Sequence, residues 1–546
     1  MSVVYAQDPI VYVRCERTTD PFELTGNVTI NGVAKTVTRQ MRGLDIYDVL
    51  PDVTNFFGNF SAPCDLMHLD AAGNETVLFD CSSFSTSENS CAALDPAVSF
   101  DGLSVVFSVF RGRIDPFVKN IRKQVIEPRA EITGGSLDHN SNFVKRTLPN
   151  KHLTTEGAHL HLVKISTGEV SFVPFVPGIY ESGPTFLTNN RVAFTSNRDG
   201  NRTTKVWRTG STREGTRIWA INIDGSDLDL SSHHSLSQEQ HPFLLKDGKL
   251  AYSSWQIFGG LPFRHTNGAI GGFSTIDNLF HIYTQAPDGA GNFPLYGQHS
   301  GDHTISSFGE DHSAAHFLTQ TSDDRVWFAD YYRGNNSGLG IIVGVMQEPA
   351  GQEGADPMTA ITRGDNYIPS DVINFATWAH NRDTLSHHVN PGEGIPHVNY
   401  EALYFKGKVG HPAALSSSPG LMLAWGKGTC GTVTKNNIFA AFGRQAPAIT
   451  TGSGWGAAMN LITSMGVDAP GCDVGLYRAT IIPSNHPSDL DLIVDTREWH
   501  EIMGRAAVPY SSIYGVAQPQ VIERADIIAS TDPTVPPDIL EAGTPF

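Results

Sequence analysis

One short cassette recurs along this chain, and its repetition limits the folds available. Asp95-Pro96-Ala97-Val98-Ser99-Phe100-Asp101-Gly102 runs on to Val105-Val106-Phe107. Gly183-Pro184-Thr185-Phe186 runs on to Arg191-Val192-Ala193-Phe194, and His241-Pro242-Phe243-Leu244 to Lys246-Asp247-Gly248-Lys249-Leu250-Ala251-Tyr252. Looser copies begin at His316-Phe317-Leu318 and at His411-Pro412-Ala413. Each is a strand, a turn and a strand, and a repeated unit of that kind is how a β-propeller is written. In a propeller the first strand of each blade begins at the central channel. The histidines opening three copies are therefore expected to converge on one axis.

The second half of each unit repeats as well. Leu160–Val170, Ile218–Ser226 and His281–Gly289 alternate apolar residues around Thr-Gly or Asp-Gly bends, a hairpin signal. A lone copy, Cys64–Asp70 and Val77–Cys81 about a turn at Ala71–Asn74, has no inner hairpin before it. It is expected to supply the outer strands of the last blade, a closure that leaves no open sheet edge. Units begin near residues 95, 183, 241, 316 and 411, with a last one after 480. The expectation is an all-β, six-bladed β-propeller closed by an N-terminal outer hairpin. Residues 1–60 are expected as an N-terminal strap, 61–515 as the propeller and 516–546 as a Pro-rich tail. Insertions fall at 112–158, 253–279, 346–400 and 451–471. In the last unit, His486-Pro487 either opens an inner strand or forms the bend between Tyr477–Ile482 and Leu490–Asp495. In the second case the last inner strand starts near Trp499-His500-Glu501.

The 53 Gly and 32 Pro suit a chain of many turns, and no 3.6-residue or heptad run appears. A net charge of −18 argues against nucleic acid as a partner. No run of 18 apolar residues is present, so no membrane span is expected, and no leader-like opening is visible. Six cysteines without a CxxC motif fit two or three disulfides, and hence a periplasmic or secreted protein. The favoured pairs are Cys64 with Cys81, flanking a hairpin, and Cys430 with Cys472, flanking an insertion. Six buried thiols are the alternative. No CxxCH occurs, which excludes covalent c-type haem by that criterion.

The cassettes at Asp95–Gly102 and Ile218–Ser226 resemble the TolB-type propeller repeat. The run from His241-Pro242 through Tyr252–Trp255 and Pro287-Asp288-Gly289 to Leu295-Tyr296-Gly297 is similar to the propeller domain of the hydrazine synthase alpha subunit and its relatives. The resemblance covers roughly residues 60–515 and implies six blades. In that family an active haem and a nearby metal draw on propeller residues. Hydrazine synthesis itself is not carried over, because the haem-attachment motif is missing.

Histidine is the chemically active residue type, with 21 copies, many of them between 233 and 411. Neutral imidazole is the commonest nitrogen ligand for zinc, copper, iron or nickel. His241, His316 and His411 are the expected ligands of a transition metal (copper, iron or zinc) in the channel. His312, four residues before His316, is the alternate, and His486 or His500 are outside candidates. Asp311 or Glu310 could orient a ring, and Asp95 either joins them or bonds the backbone of the next blade. The bland alternative is that histidines before proline merely cap strands. Three classes follow. The first is a redox metalloenzyme serving a small-molecule substrate or an electron-transfer partner protein. The second is a metal-dependent polysaccharide lyase, with Arg264, Arg333 and Arg382 available for acidic sugars. The third is a non-catalytic propeller subunit of an exported complex.

Overall fold

The computed structural model describes residues 8–17, 22–30, 33–41, 60–122, 143–202, 215–258, 276–296, 313–348, 373–379, 407–427 and 473–522, apart from 84, 175, 201, 233–236, 333–337, 377 and 418. Almost every regular element in them is β. The N-terminal part holds β1 (Ile10–Glu16), β2 (Phe22–Ile30), β3 (Val33–Met41), β4 (Phe60–Ser61), β5 (Cys64–Leu69) and β6 (Glu75–Phe79). Antiparallel meanders then follow one another. They are β7 (Ser90–Val98), β8 (Ser104–Arg122), β9 (Phe143–Lys164) and β10 (Val170–Phe172); β11 (Glu181–Phe186), β12 (Arg191–Ser196), β13 (Arg217–Asn222) and β14 (Asp229–Leu230); β15 (Ser237–Leu244), β16 (Leu250–Phe258), β17 (Ile276–Gln285) and β18 (Phe293–Tyr296). Next come β19 (Ser313–Gln320), β20 (Arg325–Tyr332), β21 (Leu339–Met346) and β22 (Ile373–Asn374), then β23 (Lys408–Ala414), β24 (Leu421–Lys427), β25 (Asp473–Ala479) and β26 (Leu490–Val494). The last strand, β27 (Trp499–Ala506), pairs with β1, which pairs with β5, which pairs with β6. A short helix, α1 (Tyr510–Tyr514), follows.

Consecutive antiparallel meanders packed face to face make a β-propeller. Hydrogen bonding groups the strands into sheets of nine, four, twelve and two, none of them closed. The larger sheets are meanders joined by one or two residue pairs, such as Cys64 with Ala92 and Phe280 with Ala314. The core lies between meanders. Val106 and Leu160 of one pack with Phe186, Val192 and Phe194 of the next, and Ala193 and Ile218 with Leu244 and Tyr252 of the one after. Both faces of these sheets are covered, so the second strands read as unbroken apolar runs. Val326–Ala329 and Leu421–Ala424 are buried at every position.

Several expectations change. Ile10–Glu16, inside the stretch expected as a strap, is a strand between β27 and β5. The hairpin Cys64–Cys81 is the outer pair of that sheet, as expected. The bend is the second of the two readings of His486-Pro487: Pro487–Asp489 form one 3-10 turn capped by the His486 ring, and the inner strand starts at Trp499. The described parts of the 112–158 insertion are long strands, since β8 and β9 pair from Ser104 with Lys164 out to Arg122 with Phe143. Ile373–Asn374, inside the 346–400 insertion, is β22, on the edge of its meander.

The pairing of Cys64 with Cys81 is corrected. Cys64 bonds Cys15, and Cys81 bonds Cys91. The reason is β1, whose ladder places Cys15 directly opposite Cys64. The first bridge spans 49 residues and ties the N-terminal strand into its sheet. Cys430 and Cys472 lie outside the described residues. No helix among the described residues is long and apolar enough to cross a membrane.

Candidate functional site

The inner strands share one device. In each, two residues oppose a single residue on the second strand, which is a β-bulge. The first bulge residue has a left-handed backbone: Asp95, Gly183, His241, Phe317, His411 and Met503 have φ between 49° and 58°. Registers shift at these points in β7, β11, β15, β19 and β23, and in the β1–β27 pair. Position two is Pro96, Pro184, Pro242, Leu318, Pro412 or Gly504. It has no ladder partner, so proline's missing N–H costs nothing there. The facing residues are Phe107, Phe194, Tyr252, Phe328, Leu423 and Tyr12, each at most 1% exposed. The recurring cassette is thus the bulge itself, in mid-strand rather than at a strand start.

This register moves one expected ligand. The counterpart of His241 and His411 in β19 is Phe317, not His316. With leucine rather than proline at 318, that copy lacks the mark of the second bulge position. His316, one residue earlier, nevertheless meets His241, with the two Nδ1 atoms 3.2 Å apart. Its Nε2 lies 3.4 Å from Ser253 Oγ. Phe317 packs on His241 at 4.7 Å and on His411 at 4.6 Å between ring centroids. Asp95 accepts a hydrogen bond from Gly183 N at 3.1 Å, the backbone of the next meander, and stands 3.8 Å from His241 Nε2.

A pocket of about 140 Å³ opens on the bulges. Its polar lining includes Asp95, His241, His411 and Arg505, and its apolar walls include Phe186, Phe317 and Met503. His411 is 1% exposed, and neither ring nitrogen has a hydrogen-bond partner. The half-buried Arg505 guanidinium donates to the carbonyls of Pro412 and Gly504, each at 3.1 Å.

Burial sets the protonation states here. It lowers the His241 pKa, with Arg505 adding to the shift and Asp95 opposing it. His316 falls well below the ordinary imidazole value through burial and the nearby His241. His411 is pushed down to about 3 by burial, Arg505 and His241. Enclosure pulls Arg505 down to about 10, against the influence of Asp95. All three imidazoles are therefore neutral at neutral pH, the form that ligates metals and accepts protons.

The pocket is roofed by the chain's own C-terminal segment. Ala507 N donates to Pro9 O, Tyr510 N to Phe100 O, Tyr514 Oη to Gln320 O and Gln520 N to Lys246 O. Two turn glycines make room for it. A Cβ on Gly102 would lie 2.6 Å from Val508 C, and one on Gly248 would lie 2.2 Å from Gln520 O.

The metal expectation is tested by these donors. Two nitrogens about 2.0–2.1 Å from one tetrahedral ion stand roughly 3.3 Å apart, so the His241–His316 pair fits a shared cation. Among the described residues no third His, Cys, Asp or Glu joins them. His411 is held off behind Phe317. His500 is buried on β27 and does not line the pocket, and His486 is a turn cap. His312, Asp311, Glu310, Arg264, Arg333 and Arg382 lie outside the described residues. The sequence reading passed over Arg505, and also Glu181 and Glu239. The last two carried a signal, the repeated Glu-Ser-Gly-Pro and Glu-Gln-His-Pro.

No family model and no curated protein matches this chain. Among solved structures, hydrazine synthase of Kuenenia stuttgartiensis is similar at 11% identity, covering 95% of this chain and 48% of that one, with a TM-score of 0.47. TolB from Acinetobacter baumannii follows at 12% identity, 62% and 61% coverage and a TM-score of 0.28. An oligogalacturonate lyase in complex with manganese has 12% identity, 75% and 95% coverage and a TM-score of 0.26. The chain resembles TolB-like propellers. It spans about half the length of the hydrazine synthase chain it matches.

Proposed function

We propose that this chain is an exported six-bladed propeller whose axial pocket is the active site of a redox metalloenzyme. The blades are the five successive meanders from β7 to β26, plus β27, β1, β5 and β6. Export is supported by the two disulfides, which persist in oxidising compartments. The observation that carries the chemistry is the 3.2 Å separation of two neutral imidazole nitrogens, one on the buried His316 and one on the largely buried His241, beside the pocket. His241 and His316 would hold a transition-metal ion, which supplies redox equivalents or Lewis acidity at the pocket wall. Ser253 orients the His316 ring, and Asp95 orients His241. His411, neutral and unpartnered, faces the substrate rather than the ion. With no ion bound, the pair shares one proton between its Nδ1 atoms.

The test is elemental analysis of tag-free protein after reconstitution with copper, iron or zinc. The expected result is about one ion per chain, lost in His241→Ala and in His316→Ala but kept in His411→Ala, with far-UV circular dichroism unchanged. A metal-free wild type, or retention of the ion by both of the first two variants, overturns the reading in favour of a binding subunit.

A further inference from the structure

We propose that the axial pocket binds a small organic monocarboxylate, with Arg505 holding the carboxylate and His411 completing its hydrogen bonds. Arg505 is the cation of the pocket lining, and no carboxylate forms an ion pair with it among the described residues. Its Nη1 donates to two backbone carbonyls, which fix the guanidinium plane and leave the other nitrogens for a ligand. Planar, bidentate recognition of a carboxylate is what a guanidinium does best. Asp95, the carboxylate whose charge acts on Arg505, is hydrogen-bonded by Gly183 N and forms no ion pair with the guanidinium. A half-buried cation with no carboxylate hydrogen-bonded to it is costly, and a bound carboxylate offsets that cost.

His411 is the second, independent observation. It is 1% exposed and lines the pocket, yet both ring nitrogens are unpartnered. Buried polar atoms are seldom left so, and a ligand atom is one way to satisfy them. Its neutral ring offers one N–H donor to an anion.

The rest of the wall limits the ligand's body. Phe100, Phe186, Phe317, Tyr510 and Met503 present aromatic or apolar surface. A volume of about 140 Å³ resembles that of an engineered apolar cavity of about 150 Å³ that takes benzene. A benzoate-sized acid therefore fits, whereas an oligosaccharide does not. This inference concerns the substrate class of the proposed site but does not need the metal.

The experiment is calorimetric titration of the full chain with benzoate, benzamide and inorganic phosphate, before and after chelator treatment. Benzoate is expected to bind at least about tenfold more tightly than benzamide, with or without metal. Arg505→Gln should abolish that preference, and His411→Ala should weaken benzoate several-fold. The preference is read on wild type, so it stands even if a variant fails to fold. Equal affinities for benzoate and benzamide, phosphate binding in place of benzoate, or no binding at millimolar concentration would each overturn the proposal. Loss of benzoate binding on chelation alone would also overturn it, placing the carboxylate on the ion. Chelator-insensitive binding in a protein that takes up no metal would sink the metalloenzyme reading and leave this one standing.

Discussion

Glu181 and Glu239 occupy the same place in neighbouring meanders and meet different partners. Each lies two residues before the left-handed bulge residue, is at most 1% exposed, and accepts from the third strand of the preceding meander. Leu160 N reaches Glu181 at 3.3 Å, and Ile218 N reaches Glu239 at 3.4 Å. Glu181 also holds the Arg198 guanidinium, with His159 at 3.6 Å. Glu239 has Ser232 Oγ on one oxygen and no partner on the other. The nearby guanidinium, Arg217, is instead paired with Asp199 at 3.2 Å. Burial then pushes the Glu239 carboxyl up to about 7, despite Ser232, Ile218 N and Arg217. One seam is closed by a charge pair and the other by a carboxyl that keeps its proton into the neutral range. The lesson is that a shared backbone register sets where a group sits. Whether a nearby cation is already committed decides what that group is.

The largest effect should come from breaking the charged seam. Glu181→Gln leaves Arg198 without its anion and should destabilise the fold by about 3 kcal/mol, read as a lower urea midpoint at pH 7. An unchanged midpoint would mean that the pair contributes nothing net.

The neutral seam should respond to pH instead. The folded pKa of Glu239 lies above its unfolded value of 4.5. Its contribution to stability is therefore full below about pH 4.5 and is lost as pH rises through about 7, on the order of 3 kcal/mol in all. Glu239→Gln should cost little at pH 5 and should unfold at higher urea than wild type at pH 8. Parallel stability–pH curves for the two proteins would show that Glu239 does not titrate in this window.

The smallest effect tests why the seams differ. Asp199→Asn frees Arg217 and removes a charge that raises the Glu239 pKa. The stability–pH midpoint assigned to Glu239 should move down by about one pH unit or less. No movement would mean that burial alone sets it.

A fourth variant compares the roofed pocket with both seams. Gly248→Ala places a Cβ on Gln520 O at a left-handed φ of 86°. It should loosen the C-terminal strap, raising proteolysis near residue 520 while leaving the unfolding free energy from urea titration within about 1 kcal/mol of wild type.

Much of the fold was readable because its signals are local. A Pro-containing cassette, an Asp-Gly bend and an apolar run are each written within about ten residues, and they recur. β1 was not readable as a strand. Its partners are β27, nearly the whole chain away, and β5, beyond a long connection, and nothing inside Ile10–Glu16 names either. The disulfide partners of Cys64 and Cys81 followed from that omission. The cassette at 316 was read one residue out of register because Leu318 replaces proline. Such a slip moves every side chain to the opposite face. The meeting of His316 with His241 is therefore a contact between neighbouring meanders rather than a repeat of position.

By itself, the sequence determined the repeating strand–turn–strand unit, the all-β class and the presence of His241 and His411 at equivalent positions of the repeat, because turn chemistry is set by neighbouring residues. Only the tertiary structure decided that Phe317 packs against both of those imidazoles, that Arg505 lines the pocket beside them, and that Glu239 lacks the cation Glu181 has. Those facts depend on which distant strands lie side by side, and on which charges reach each other first in a buried, weakly screened interior.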